Sequence, residues 1–346
     1  MNRSWKSSEP LRIVAIGGGT GLSTLLHGLK LVKKQPNPPV EIEITAVVTV
    51  TDDGGSSGRL RREFDLVAPG DIRNCMVALS EDEALLSHLF QYRFVAGRGL
   101  KGHSFGNLFL TVLTQITGDF SKAVKLSSEI LASCGHIYPS TAENVVLEAE
   151  LEDGRIVIGE TKISKSRHKI RRLRLRPEVC EPLPDALKAI EEADVITLGP
   201  GSLFTSIVPN LLVKGIPDAI RRSRALKAYF VNLMWQPGET IGFAASDHIR
   251  AVHDHAGAPL VDFAVVNTRR ITAPVKRRYA AQRALPVEND FDQLEALGVR
   301  PIGVDLASGT SVARHDPYAT AEIAIRLAGE GRRRKRVMAK RAAEGD

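Results

Sequence analysis

The residues best suited to chemistry sit where short apolar runs end. The first such end is Gly17-Gly18-Gly19-Thr20-Gly21. Glycine backbone tolerates positive φ and lets a ligand come close. A helix beginning near Thr20 would present free N–H groups and the positive end of its dipole, a seat for phosphate. A tight strand-to-helix turn also uses glycine, but four glycines in five residues exceed what a turn needs. Leu22 stands where a dinucleotide fingerprint needs its third glycine, and no Gly-Lys-Ser/Thr follows to make a P-loop. The second end, residues 51–59, reads TDDGGSSGR. Asp52 and Asp53 are candidate ligands for Mg²⁺ or a ribose, with Asp52, nearer the strand, expected to point inward. Gly55, Ser56 and Ser57 would form a second anion nest, and Arg59 would pair bidentately with phosphate.

Three further segments read as walls of the same site. Pro69-Gly70 introduces Asp71, Arg73 and Asn74 at a helix start, which is equally the signature of a turn with an Asp cap. His103, Ser104 and Asn107 open a helix whose Phe105, Leu108, Phe109, Val112, Leu113 and Ile116 share one face. Gly199, Gly201 and Ser202 follow another apolar run and suit a phosphate or a uracil edge. Asn232 and Asn267 close two more. Other chemistry is poorly served. His253-Asp254-His255 places its histidines at i and i+2, on different helix faces, which argues against a metal there. Cys75, Cys134 and Cys180 are odd in number and widely spaced, as in a reducing compartment without disulfides.

The elements that must position these residues alternate. Residues 11–16 read as a buried strand, Leu22, Leu25, Leu26 and Leu29 as a helix, and Ile42 to Val50 as a second strand: an opening βαβ unit. Residues 71–132 are mostly helical. Two β-like runs, 144–151 and 155–159, flank Asp153-Gly154, and a third, 169–176, alternates apolar residues with arginine. Strands at 195–198, 229–234, 263–266 and 301–306 and a helix at 319–327 complete the pattern. The expected fold is α/β, a Rossmann-like, mainly parallel sheet with helices on both faces and a small antiparallel insertion at about 136–176. One domain over 11–328 lies between a flexible N-terminus at 1–10 and a basic tail at 329–346.

The chain has 346 residues and a net charge of +7. Residues 331–346 hold seven Lys/Arg and two acids, so most of the excess is in the tail, expected to be solvated and disordered. Nucleic acid is therefore disfavoured as a partner. No run reaches the ~18 apolar residues of a membrane span, and no secretory signal is evident at the N-terminus. A cytoplasmic location is expected. A homo-oligomer is compatible with this reading.

The runs IGGGTGLSTLLHGLK, VTDDGGSSGRLRREFD, PGDIRN, GHSFGN, GPGSLFTS and ASDHIRAVHDH together resemble the YvcK-like, gluconeogenesis-factor branch of the CofD-like proteins, from about Arg12 to Ala328. The resemblance implies a Rossmann-like fold and binding of a UDP-sugar such as UDP-N-acetylglucosamine. It also implies a role in cell shape, cell-wall synthesis and growth on gluconeogenic carbon sources, through an unidentified protein partner. It implies Tyr279 and Arg314 as further ligand residues, one stacking on uracil or sugar and the other clamping the diphosphate. The other branch implies an alternative: transfer of a phospholactyl group from a guanylylated donor to a deazaflavin, with Mg²⁺ held by Asp. A regulatory Thr that the branch can carry after Arg-His-Asp is replaced here by Pro317, with Thr320 further on.

Overall fold

A computed structural model describes residues 9–81, 84–166, 168–309 and 312–344. The N-terminus expected to be flexible lies, up to residue 8, outside the described residues. The chain runs β1 (Leu11–Gly17), α1 (Gly19–Lys33), β2 (Ile42–Val48), α2 (Gly55–Phe64), α3 (Gly70–Leu79), α4 (Ala84–Gln91), α5 (Phe105–Thr117), α6 (Phe120–Ile130) and β3 (His136–Pro139). There follow β4 (Val146–Leu151), β5 (Ile156–Ile158), α7 (Glu160–Ile163), β6 (Ile170–Arg176), α8 (Pro184–Glu192) and β7 (Val195–Leu198). After a π-helical turn (Leu203–Ile207) come α9 (Val208–Leu211), α10 (Ile216–Arg222), β8 (Leu226–Phe230), α11 (Ala245–Ala256), β9 (Phe263–Asn267), α12 (Ala273–Ala280) and α13 (Phe291–Ala296). The last elements are β10 (Arg300–Val304), the short pair β11 (Ala307–Ser308) and β12 (Arg314–His315), and α14 (Pro317–Glu344).

Seven strands form one parallel sheet in the order β10-β9-β8-β7-β1-β2-β3. Its central strands are apolar on both sides because both faces are covered. α1, α3 and α14 pack along one face, and α8, α9 and α11 contact strands or helices of the other. Ile13, Ile16, Leu198, Ala228 and Val265 are fully buried between the layers. The expected α/β fold and small antiparallel sheet are both present.

Two regions differ in detail from the sequence reading. The segment read as an insertion begins with β3, which joins the main sheet as a parallel edge strand; only β5-β4-β6 is antiparallel. The arginines of β6 find their counter-charges on β4. Arg171 lies 3.1 Å and Arg174 3.5 Å from Glu150, and Arg176 pairs with Glu148. Cross-strand pairing of opposite charges stabilises such a sheet.

The basic tail is not the disordered appendage expected, since α14 continues without a break to Glu344. The cause is a buried carboxylate. Asp194, just before β7, accepts Arg12 N at 2.9 Å and the Arg332 guanidinium at 2.9 and 2.6 Å. Arg332 also donates to Pro10 O at 2.7 Å, and Lys335 Nζ to Glu192 O at 3.0 Å. A buried charge must be paired, so the first turn of the supposed tail is drawn onto the body. No single helix among the described residues is long and apolar enough to cross a membrane.

Arg332→Ala leaves Asp194 buried with its main cation gone, which costs about 3 kcal/mol. The thermal unfolding midpoint should fall by several degrees. An unchanged midpoint would show that α14 is held elsewhere.

Candidate functional site

Sheet order reverses between β1 and β7, because β2 lies on one side of β1 and β7 on the other. In open parallel sheets the crevice at such a reversal is where ligands bind. The glycine loop after β1 and the Gly199–Ser202 turn after β7 meet there. A Cβ on Gly21 would lie 2.5 Å from Pro200 O and 2.8 Å from Gly201 Cα, so only glycine permits the contact. Asn232, beyond β8, donates through Nδ2 to Gly201 O at 2.9 Å. The exits of β1, β7 and β8, three of the segments that sequence reading assigned to one ligand, therefore meet at one rim.

The side of the rim over β1 and β2 is acidic. Asp71, on α3, reaches the first turn of α1, where it accepts a hydrogen bond from the Gly19 amide. A Cβ on Gly18 would lie 2.5 Å from Asp71 Oδ2. The seat anticipated for phosphate thus already holds a carboxylate of the chain itself. Burial, and next the charge of Asp52, raise Asp71 to about 7. Glu160, opening α7, is raised to about 9 by burial and by Asp71 and Asp52. Glu239 is also raised by burial; it accepts Phe204 N at 3.0 Å and Thr205 Oγ1 at 2.9 Å, closing the amide end of the π-helical turn. Sequence reading missed both glutamates. The Pro237-Gly238 turn beyond β8 was the available signal for Glu239; Glu160 stands alone in what reads as a β-rich insertion.

The side over β8 and β9 is basic. A cleft of about 180 Å³ is lined by residues that include Asn232, Asn267, Arg269, Arg270 and Lys276. A second, of about 600 Å³, shares Arg269–Ile271 with the first and extends to Val275, Ser308 and Ala313. Asn232 Oδ1 is buried without a hydrogen-bond partner. Arg270, Lys276 and Arg314 are exposed and make no ion pair among the described residues. Tyr279 lies on α12 with Lys276 and is partly buried against the core. The paired arginines that follow Asn267 and Thr268 were a legible signal for this half that the sequence reading did not use.

Several predicted ligand residues are committed to the protein. Asp53 Oδ1 accepts Thr161 N at 2.8 Å and Thr161 Oγ1 at 2.5 Å, tethering α7. Asp52 Oδ1 accepts Gly54 N at 2.8 Å, while its other oxygen faces Gly70 beside Ser57 Oγ, so Asp52 is the aspartate turned toward Asp71. Arg59 donates to Lys101 O at 2.9 Å rather than into the rim. Arg73 is held by Asn74 Oδ1 at 2.5 Å and packs under Gly106 of α5. Asn267 Oδ1 takes the amides of Arg269, Leu306 and Ala307, each at 3.1 Å, which fixes the exit of β9. Ser202 Oγ accepts Gln236 Nε2 at 2.8 Å.

The polar start of α5 forms the floor of the serine loop. Ser56 Oγ meets His103 Nδ1 at 3.1 Å, and Asn107 Nδ2 donates to Ser57 Oγ at 3.1 Å. Thr20 and Gly55 face open space. His253 and His255 are structural: their Nε2 atoms accept Val261 N at 3.3 Å and Leu173 N at 3.1 Å. Among the described residues no three His, Cys, Asp or Glu converge to hold a metal ion.

The family model described as 2-phospho-L-lactate transferase CofD matches residues 13–307. A gluconeogenesis factor from Halalkalibacterium halodurans is 51% identical over 290 residues, 84% of this chain and 88% of that protein. One from Bacillus subtilis is 46% identical over 320 residues, 92% of this chain and 98% of that protein. A crystal structure of a Bacillus halodurans protein superposes with a TM-score of 0.87 at 48% identity, covering 92% of this chain and all of that one.

Asp71 binds its proton more tightly folded, at about 7, than unfolded, at ~4. Stability is therefore greatest below ~4 as far as this group is concerned, and declines as pH rises through the folded value. Asp71→Asn should flatten the fall in melting temperature between about pH 4 and 7. A variant whose melting temperature falls as steeply as the wild type would show that Asp71 is not the group responsible.

Proposed function

The chain belongs to the CofD family, in its YvcK-like branch of gluconeogenesis factors, and from that membership and the rim we propose that it binds a nucleoside-diphosphate sugar of the UDP-N-acetylglucosamine type. It does so as a cytoplasmic regulator of cell-wall synthesis, cell shape and growth on gluconeogenic carbon sources, acting through a protein partner. The observation that carries the reading is the division of one rim into two halves. Arg270 and Lys276 line the cleft that opens beside Asn232, Arg270 lines the second cleft as well, and Arg314 follows Ala313 of that second cleft; none of the three cations has an ion-pair partner among the described residues. They suit the diphosphate, since guanidinium groups pair bidentately with phosphate oxygens. The orphaned Asn232 Oδ1 suits a donor on ribose or base. Asp52 and Asp71, on the other half, suit the hydroxyl donors of an uncharged sugar. The choice of uridine rests on the family resemblance.

A second reading, a transferase of phosphorus-containing groups, is favoured by one observation: Asp52 and Asp71 face each other beside an amide-rich loop. Mg²⁺ commonly binds through one or two carboxylates and completes its shell with water and substrate phosphates, so a site without three protein ligands fits it. The ion would supply charge neutralisation to a transferring group.

Calorimetry against a panel of UDP-sugars, with and without Mg²⁺, separates the readings. We expect micromolar affinity for one member, weakened at least about tenfold by Arg270→Ala or Arg314→Ala, or ~1.4 kcal/mol each. Tyr279→Ala should weaken it too, with melting curves unchanged. No heat with any member would remove the binding proposal. Product formation from guanylylated phospholactate and a deazaflavin, dependent on Mg²⁺ and lost in Asp52→Asn, would establish the second reading instead.

A further inference from the structure

α14 outruns the body that it packs on. Ala321, Ala324, Ala328 and Gly331 form its buried side. A Cβ on Gly331 would lie 2.0 Å from Asp194 O, so helix and sheet meet without a gap there. The helix runs against the strands. Just before its start, His315 Nε2 meets Val231 O, beyond the carboxyl end of β8, at 3.2 Å. Farther on, Arg332 reaches Asp194 and Pro10, which precede β7 and β1. Lys335 then donates to the carbonyls of Glu192 and Ala193. Every residue from Arg336 to Ala343 is exposed. About 13 Å of helix therefore projects past the amino ends of the strands, at the opposite end from the rim.

The projecting turns are organised in stripes. Arg334, Val337, Met338 and Arg341 stand at i, i+3, i+4 and i+7, on one face. Val337 is 54% and Met338 42% exposed, so this face is apolar at its middle and cationic at both ends. Arg333, Arg336 and Lys340 line the adjoining face. Arg334, Arg336 and Arg341 make no ion pair among the described residues. The acids at this end of the molecule are engaged with other cations: Asp194 with Arg332 at 2.6 Å, Glu192 with Arg12 at 3.3 Å and Glu191 with Arg222 at 3.9 Å.

We propose that the projecting end of α14 docks on an anionic membrane surface, held by acidic phospholipid headgroups. Charge selects the occupant first. Cations spread over two adjoining faces suit a charged plane, and a basic cluster on an amphipathic helix is attracted to anionic lipid. The apolar pair selects it second. Val337 and Met338 can enter the headgroup boundary while the arginines that frame them extend their guanidinium groups to the phosphates. Nucleic acid is served less well, because residues 332–344 include no Asn, Gln, Ser, Thr or aromatic side chain to read a base edge or stack on a base. The clamp on Asp194 fixes the start of the segment, and the helix is already formed, so little ordering remains for docking to impose. The stripe runs along the helix axis, so the helix lies along the bilayer. The rim, at the other end of the sheet, stays open. The inference does not depend on what the rim binds.

Co-sedimentation of the full chain with lipid vesicles tests it. The wild type should pellet with phosphatidylcholine vesicles that contain about a third phosphatidylglycerol, and stay in solution with phosphatidylcholine alone. Raising salt from about 50 to about 300 mM should weaken the binding about tenfold or more. The triple substitution Arg334→Gln, Arg336→Gln and Arg341→Gln should weaken it about a hundredfold. Circular dichroism should be unchanged, because all three positions are exposed and glutamine is a good helix former. Met338→Ser should weaken binding several-fold and keep its salt dependence. Removing the same number of charges elsewhere on the surface, by Arg98→Gln, Lys122→Gln and Lys125→Gln, should leave binding intact. A wild type that stays in solution with the anionic vesicles would overturn the proposal, as would a triple variant that pellets like the wild type. Binding to a random-sequence DNA duplex but not to the vesicles, at the same salt, would overturn it in favour of nucleic acid.

Discussion

A carboxylate of the chain sits on the amide of Gly19, where the first turn of α1 would otherwise receive an anion. That contact organises the rest of the rim. The partial positive charge of a helix start favours a carboxylate as readily as a phosphate, and Asp71 is delivered there permanently by α3. With the glycine-loop seat filled, Asp52 adds to the proton affinity of Asp71, and Asp71, Asp52 and Glu239 add to that of Glu160. The region over β1 and β2 becomes a place for hydrogen-bond donors or a divalent cation, and is hostile to a bare diphosphate. The proposed diphosphate would be met elsewhere, and the uncommitted cations lie over β8 and β9.

The parallel sheet makes this separation possible. All seven strands end on the same side, so every exit loop contributes to one rim, and reversal of strand order between β1 and β7 opens that rim in its middle. Gly21 allows the β1 exit to touch the β7 exit, and Asn232 ties the β8 exit to the same turn. A ligand lying along the rim then meets carboxylates at one end and guanidinium groups at the other. That asymmetry matches the proposed ligand, which carries phosphates at one end and hydroxyls at the other. Recognition of this kind needs no nucleophile, and none of the three cysteines is placed for one: burial raises all three thiols.

What was legible in the sequence follows from how local the signal is. Strands that are apolar on both faces, glycine-bearing exits and the Asp153-Gly154 turn are written in contiguous residues, and the fold was readable from them. Long-range partners are not. Arg59 and Asp53 have the right types at a strand end, yet one donates to a carbonyl 42 residues away and the other accepts from Thr161, 108 residues on. Asn267 has the right place but is consumed by three amides. Composition misled at the C-terminus for the same reason: the arginine run resembles a solvated tail until Asp194, 138 residues earlier, is seen to claim Arg332. Glu160 and Glu239 carried no pattern, because carboxylates drawn together from different exits leave no spacing to detect.

The same long-range logic bears on α5. Its apolar stripe was visible as periodicity, and the ordinary inference from such a stripe is that it faces the core. It faces outward because the inward face is reserved for Asn107 and the groups before it, which must reach Ser56 and Ser57. A helix cannot both present polar side chains to the floor of a site and bury its apolar stripe in the same core. The site therefore determines which way the helix is turned, and Val112 and Ile116 of the stripe are left exposed.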